Sequence, residues 1–345
     1  MKAAVLTGIG KIEIRDLPVP KIKSGSDVLL RTSHIGICGS DVHYFLSDRV
    51  GDQAVRYPAV VGHECSAFVE KTGRDVIKLN PGDRVVVDPA VSCGTCDQCR
   101  NGRPHTCRNL RFLGYPGQMD GCLAEFFILP ERNCFLLPDP MAMTEAALVE
   151  PLSIAVYALE MWGGILNQSV GILGSGPIGL CVLISARSLG IHKIFMTDKV
   201  EERIHAALNA GALWAGNPDK QDIVTEILKW QPEGLDAVFA CCGDPAAFDQ
   251  GTELLKPGGK LFILGIPLAE RVSFNISQLR RKEIAIQNVR RQNRVTEKAI
   301  HLIASRYLDV AFLVTHKFRL EEAQEAFETA ASYKNGILKA MIAFD

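Results

Sequence analysis

Val170-Gly171-Ile172-Leu173-Gly174-Ser175-Gly176-Pro177-Ile178-Gly179 joins an apolar run to a G-x-G-x-x-G turn, and Leu180–Leu189 then reads as a helix. In such a turn the first glycine permits the tight bend and the second lets a pyrophosphate approach the backbone. The third lets helix and strand pack closely, while the helix N-terminus offers amide donors and a positive dipole end. A lone glycine pattern is weak. Here a strand precedes it, a helix follows, and Asp198 closes the next apolar run nineteen residues after Gly179. Asp198 is placed to accept hydrogen bonds from an adenosine ribose diol, and its charge repels a 2′-phosphate, which favours NAD over NADP. Lys199 and Arg203 are cations beside it. Arg203 is grouped with the cofactor site, together with Gly174, Gly176, Pro177, Ile178 and Gly179, and Lys199 reads as solvated helix charge.

Outward from this turn, strand-like runs alternate with helical patterns from about residue 152: Val170–Leu173, Ile194–Thr197, Ala237–Ala240, Leu261–Leu264 and Ile284–Gln287. That alternation predicts βαβ units and a doubly wound parallel sheet of α/β class. Ala240-Cys241-Cys242-Gly243 and Leu264-Gly265-Ile266 then fall at the carboxyl edge of the sheet, which puts Cys242 and Leu264 beside the cofactor. The two cysteines read equally well as small buried hydrophobes. Residues 1 to about 150 have another texture, with short strands such as Asp27–Arg31, Arg84–Val87 and Leu123–Leu129 broken by Gly and Pro. The tail from about 295 carries two helical patterns, Glu297–Ser305 and Leu320–Ala331.

The first region also holds Cys93-Gly94-Thr95-Cys96-Asp97-Gln98-Cys99, followed by Cys107. Four thiolates at such steps close a tetrahedral shell around Zn²⁺ with no open position, so this metal would brace the lobe. Free thiols or a redox pair fit three cysteines at consecutive ligand spacing and a fourth at Cys107 less well. The 345 residues suffice for two domains, and a net charge of −1 gives no bulk attraction to nucleic acid or an acidic membrane. The N-terminus shows no signal-peptide run, and no apolar stretch reaches membrane-spanning length. The eleven cysteines are an odd number. Metal-bound and buried thiols in a reducing cytoplasm fit that number better than a disulfide framework does.

A second set of ligand types, Cys38, His63, Glu64 and Glu150, lies in the same region. None is specific alone, since a single Cys or His is more often a packed core residue. Mixed sulfur, nitrogen and oxygen donors that leave one position open are what a catalytic zinc requires. Cys38-Gly39-Ser40-Asp41-Val42-His43-Tyr44, Gly51-Asp52, Gly62-His63-Glu64, Val149-Glu150-Pro151-Leu152-Ser153, the glycine turn and Leu313-Val314-Thr315-His316 occur in this order. In this combination the chain resembles the zinc-containing medium-chain dehydrogenase/reductases along essentially its whole length, and within them the sorbitol (polyol) dehydrogenase branch.

The resemblance implies a GroES-like β-barrel catalytic domain over residues 1–151 and a Rossmann domain over 152–289. A C-terminal segment, 290–345, would return to the first domain. It also implies two zinc ions per subunit. Cys38, His63 and Glu64 would bind the catalytic one, and Glu150 would bind it directly or through water. The expected reaction passes hydride from a secondary alcohol of a polyol or sugar to NAD, the metal lowering the pKa of the hydroxyl. Ser40 matches the hydroxyl that meets the substrate oxygen, and His43 matches a proton relay, against the alternative of a surface or capping histidine. Tyr44, Glu150 and Arg290 match substrate-contacting positions, and the resemblance would place Val289 near the nicotinamide. Arg290 and Arg291 would otherwise pair with carboxylates.

Arg291 and Tyr157 depart from the branch, standing where an aromatic residue and a histidine are common. The loop 114–121 is also unusual, and Tyr115 or Met119 would shape the pocket there. An additional arginine favours an acidic sugar or a cyclic polyol such as inositol. A threonine dehydrogenase of the same superfamily is a second reading, although that branch usually has Thr where Ser40 stands. A zinc- and NAD-binding protein without turnover is a third, and the complete ligand set argues against it. Rossmann edges that pair across a dimer, often within a tetramer, are the implied assembly.

Overall fold

A computed structural model describes residues 1–50, 53–164, 166–267 and 269–344. Gly51 and Asp52, part of the motif set above, lie outside the described residues. The chain divides into two compact units, one of Met1–Glu150 with Asn293–Asp345 and the other of Pro151–Gln292.

The first unit is built on a seven-stranded sheet whose central strand is Asp27–Gly36. Glu64–Thr72 pairs with it on one side and Lys339–Ala343 on the other, both antiparallel. Val314–Arg319 runs parallel to Lys339–Ala343 at the edge. The last strand of the chain is thus hydrogen-bonded into the sheet begun near its start. Arg84–Val87, Cys134–Leu136 and Phe126–Pro130 complete the sheet. The expected strand Leu123–Leu129 begins later, at Phe126. Leu123 and Ala124 instead bond to the N-terminal hairpin, through the Ala4 amide donating to the Leu123 carbonyl and an Ala3–Ala124 bridge. Alternating apolar residues bury one core here, with Val28, Leu30, Ile35, Ala67, Val85, Phe127 and Ile342 nearly inaccessible. The tail pattern Leu320–Ala331 starts as a 3-10 turn, Leu320–Glu322, before the α-helix Ala323–Ser332.

The second unit is a six-stranded parallel sheet. Its order is Trp214–Gly216, Lys193–Thr197, Ser169–Leu173, Leu235–Ala240, Leu255–Ile263, Ala285–Asn288. Chain order therefore reverses between Ser169–Leu173 and Leu235–Ala240, the crevice where doubly wound sheets bind dinucleotides. Ser169–Leu173 is buried at every residue, which explains its unbroken apolar run with a single serine at the start. Ser169 is itself anchored, with its amide and hydroxyl donating to Asp236 Oδ2 at 2.8 and 3.0 Å. Phe239 stacks on Phe262 at 4.9 Å between ring centres and meets Trp162 edge-on at 5.8 Å. No described helix is long and apolar enough to cross a membrane.

Candidate metal centres and dinucleotide site

The Cys93–Cys107 segment coils back on itself. Asp97–Arg100 forms one helical turn and Pro104–Thr106 a 3-10 turn, which brings Cys93, Cys96, Cys99 and Cys107 together with their sulfurs within 4.8 Å of one another. Cys96 Sγ lies 3.5 Å from Cys99 Sγ and 3.8 Å from Cys107 Sγ. A tetrahedral Zn–S shell with bonds of about 2.3 Å has S–S edges of about 3.8 Å, so the four sulfurs fit zinc. Thr95 stabilises the Cys93 thiolate through its amide and hydroxyl and pulls the thiol down to about 5. Arg108 grips Asp97 with two bonds of 2.6 and 2.9 Å, and the Asn293 amide donates to the Gly102 carbonyl at 3.1 Å. These contacts fasten the segment to itself and to the start of the C-terminal return.

The second cluster forms where two neighbouring strands end. Gly36 and Glu64 face each other in register, so Cys38 and His63 follow and precede paired positions. Cys38, His63 and Glu64 present ligand atoms within 4.8 Å of one another. Asp41 ties the two segments together, accepting from the Cys38 amide at 3.2 Å and the Gly62 amide at 3.3 Å. Its Oδ1 also lies 3.5 Å from His63 Nδ1, which leaves Nε2 for a metal. Burial favours the neutral ring, yet Asp41 and Cys38 together hold the His63 imidazole well above its ordinary range. Phe112 packs against His63 at 5.0 Å between ring centres, and the amides of Gly121, Cys122 and Leu123 bond the backbone of Val60, Gly62 and Val61 from behind.

Glu150 stands at the end of the first unit, 6 % exposed and outside the tight three-residue cluster. Its Oε2 is buried without a hydrogen-bond partner. Burial pushes the carboxyl up to about 7; His63 and Lys339 pull it back, and Glu64 and Asp88 push the same way as burial. A buried oxygen without a partner is costly, and a metal or ordered water would satisfy it. With the Cys38 sulfur, the His63 imidazole and the Glu64 carboxylate converging, the donor set fits zinc with a coordination position to spare.

The helix Gly39–Leu46 leaves directly from Cys38, its first bond running from the Val42 amide to the Cys38 carbonyl. Ser40, His43 and Tyr44 are spaced i, i+3, i+4 and so share one face. Ser40 and His43 are half-buried, and burial lowers the His43 pKa, which keeps its ring neutral. Tyr44 is buried and meets Tyr115 edge-on at 6.1 Å, so the unusual 114–121 loop reaches this helix. Arg290 is exposed in the second unit, next to Val289, whose amide donates to the Ile263 carbonyl at 2.9 Å.

In the glycine turn, Gly174 has φ +106°, and a Cβ there would crowd Cys241 and Cys242 at 3.1 Å. A Cβ on Gly179 would collide with the Gly174 carbonyl. Above Gly176 the space is open, with Arg203 Nη1 the nearest atom at 3.6 Å from a Cβ placed there. Pro177 opens the helix Pro177–Ser188, followed by Ile178 in its first turn. Asp198 accepts the Ser175 amide at 2.7 Å and the Val200 amide at 2.9 Å, which fixes its carboxylate at the turn. Lys199 pairs with Asp219 at 3.3 Å and Asp244 at 3.1 Å. The Leu264 amide bonds the Ala240 carbonyl, and the Cys241 amide bonds Leu173, so Cys242 and Leu264 end adjacent strands next to the turn. The open space at Gly176 and the fixed acid fit a dinucleotide.

Residues 24–139 match the alcohol dehydrogenase GroES-like domain, and residues 177–305 match the zinc-binding dehydrogenase family. The sorbitol dehydrogenase of Bacillus subtilis (strain 168) is 35 % identical over 343 residues, 99 % of this chain and 97 % of the relative. The chain belongs to the zinc-binding dehydrogenase family. Within it, this dehydrogenase is sorbitol dehydrogenase-like. It is also 34 % identical to the L-idonate 5-dehydrogenase of Vitis vinifera, over 97 % of this chain and 93 % of that one. A zinc-binding dehydrogenase of Sinorhizobium meliloti 1021 bound to NADP superposes with a TM-score of 0.91 at 28 % identity, covering 99 % of both chains. The enzyme is therefore an oxidoreductase of the zinc- and nicotinamide-dependent alcohol dehydrogenase type, acting on a small molecule.

Asp41, Phe112 and Lys339 complete the Cys38/His63/Glu64 cluster without having been singled out from the sequence. Asp41 carried a signal, an acid three residues after a candidate ligand at a helix start. Phe112 carried none. Lys339 reaches Glu64 from 275 positions away, and no local pattern marks it.

Proposed function

We propose that this dehydrogenase oxidises a secondary alcohol of a polyol or sugar derivative with NAD, giving a ketose or keto-sugar. The observation that carries the proposal is the convergence of Cys38, His63 and Glu64 beside the unpartnered Oε2 of Glu150. Zinc held there would supply Lewis-acid chemistry, acidifying a hydroxyl brought beside it. Asp41 orients the His63 ring. The Ser40 hydroxyl, on the helix that starts at Cys38, receives the proton of the substrate hydroxyl and passes it to His43, whose neutral ring accepts it. Tyr44 and Glu150 hold the remaining hydroxyls. The second zinc, in the Cys93–Cys107 segment, is structural, which makes two per subunit.

For the cofactor, Gly176 admits the pyrophosphate and Asp198 takes the ribose diol. Lys199 is drawn off by two carboxylates, which removes one cation that a 2′-phosphate would need and supports NAD. Arg203, Cys242, Leu264 and Val289 line the same site. The strand Ala285–Asn288 is a largely exposed sheet edge, which supports a homodimer or tetramer formed through it. The eleven cysteines, all thiols, support a cytoplasmic setting.

The sugar acid reading is the alternative, on the likeness to L-idonate 5-dehydrogenase and the additional arginine, Arg291. The test is NAD⁺ and NADP⁺ reduction by zinc-loaded protein across sorbitol, xylitol, other pentitols and hexitols, inositols, aldonic acids, L-threonine and simple secondary alcohols. Turnover on one polyol, lost on inverting a single hydroxyl, supports the proposal. Turnover confined to aldonates or threonine replaces the substrate class and keeps the hydride chemistry.

A further inference from the structure

Lys339 is 3 % exposed and sits at the start of the last strand. Its ammonium donates to Glu64 Oε1 at 2.8 Å, to Glu64 Oε2 at 2.6 Å and to the Ile37 carbonyl at 3.2 Å. Glu64 is 1 % exposed. Two ions buried so completely cost desolvation that only close geometry offsets. The chain makes room for that geometry. The pair lies over Gly36, where a Cβ would overlap Glu64 Oε2 and approach Lys339 Cδ to 3.3 Å. The carboxylate so held is one of the three convergent donors, whereas Glu150 beside it keeps an oxygen without a partner.

We propose that Lys339 is a positioning residue that competes with the metal for Glu64, keeping Glu64 a weak donor and leaving Glu150 as the carboxylate open to the metal or its water. The inference rests on the metal reading above and goes beyond it. A carboxylate bonded through both oxygens to an ammonium has less charge to give a metal, and a fixed cation nearby repels one. The sign of a substitution follows. Without the ammonium, the metal-free protein holds a buried unpaired carboxylate, and the metal-loaded protein loses a repelling charge. Both changes favour metal uptake. A lysine that only scaffolds Glu64 predicts the opposite.

The test is chelator titration of the full-length, zinc-loaded protein carrying Lys339→Met, with the zinc of the Cys93–Cys107 segment as internal reference. The expected result is tighter retention of the Cys38/His63 zinc by about tenfold or more, the scale on which outer partners act on a metal, with the reference zinc unchanged. Lys339→Arg should behave as the parent, and Lys339→Met should have no further effect in a Glu64→Gln background. Cobalt substituted at the site should show a shifted ligand-field band in Lys339→Met alone. Weaker or unchanged retention overturns the proposal, as does an effect that persists with Glu64→Gln. If Lys339→Met does not fold, Lys339→Gln, which keeps a donor without the charge, carries the same expectation. A parent protein with a single zinc, unaffected by Cys38→Ser, would overturn the metal reading itself, a failure distinct from the other.

Discussion

Replacing Gly176 by alanine should leave the fold intact and weaken the cofactor. Gly176 has φ −71° and ψ −175°, extended backbone that any residue adopts. A Cβ there meets only Arg203 Nη1 at 3.6 Å, an ordinary contact. The cofactor-free protein should lose nothing and should gain up to about 0.4–1 kcal/mol from a stiffer unfolded chain. The new methyl instead fills the space through which a pyrophosphate reaches the helix N-terminus. Losing one charge-assisted backbone bond costs about 2 kcal/mol, or roughly 30-fold in Kd. With NAD at about 100 times the parent Kd, ligand stabilisation should drop from about 2.7 to about 0.9 kcal/mol. Thermal unfolding with and without NAD, beside a fluorescence titration, reads both quantities. Gly179→Ala is the contrasting variant. Its methyl collides with the Gly174 carbonyl, so the cofactor-free protein itself should lose about 1–3 kcal/mol. An unchanged NAD Kd in Gly176→Ala would refute the reasoning, because the cofactor would then not approach the backbone at that glycine.

Cys96→Ser should remove one zinc per chain in elemental analysis and lower the unfolding midpoint, with a loss of metal affinity beyond the roughly 10- to 100-fold that outer partners cost; retention of both ions would refute the tetrahedral shell. In the metal-free protein, Glu150 holds its proton up to about 7, while the unfolded carboxyl releases it near 4.5. The folded state therefore binds more protons in that window, and stability should fall as pH rises from about 4.5 to 7, by an amount of order 3 kcal/mol at most. Glu150→Gln should flatten that slope, as followed by denaturant titration across pH, and an unchanged slope would place its origin elsewhere. Phe239→Ala removes the ring stacked on Phe262 and touching Trp162, and should cost about 3–5 kcal/mol by urea unfolding.

The parallel sheet was legible because its strands are buried on both faces and read as short apolar runs with glycine at the turns. Ser169–Leu173 and Lys193–Thr197 lie within one residue of the expected runs. Leu255–Ile263 was less legible. It begins six residues before the expected Leu261 because Lys256–Lys260 looks like a turn, and a register shift absorbs the glycines. The first unit was harder for a related reason. Its sheet draws strands from both ends of the chain, and the pairing of Lys339–Ala343 with Asp27–Gly36 has no local signature. The four-cysteine segment was the easiest part of the candidate sites, because all its donors come from one short stretch. Cys38, His63 and Glu64 were legible as residue types, and only the strand register puts them together.

That register also explains why the partners of the donors were missed. Asp41 and Lys339 do not repeat at any spacing from His63 or Glu64, and each acts through geometry that exists only after the sheet has formed. Asp41 bonds the backbone of both ligand-bearing segments, so it fixes their separation before any metal arrives. Lys339 enters with the last strand, so Glu64 gains its counter-charge only when the C-terminal segment has docked. Truncation before Lys339 differs from replacing its side chain, because it also unpairs Asp27–Gly36, the strand that leads to Cys38. The truncated chain should therefore fail to retain the Cys38/His63 zinc, even though loss of the ammonium alone should tighten it. It should still retain the zinc of the Cys93–Cys107 segment, whose ligands and local fastenings lie almost entirely within residues 93–108. Loss of both ions together would show instead that the pairing of the last strand supports the two centres as one.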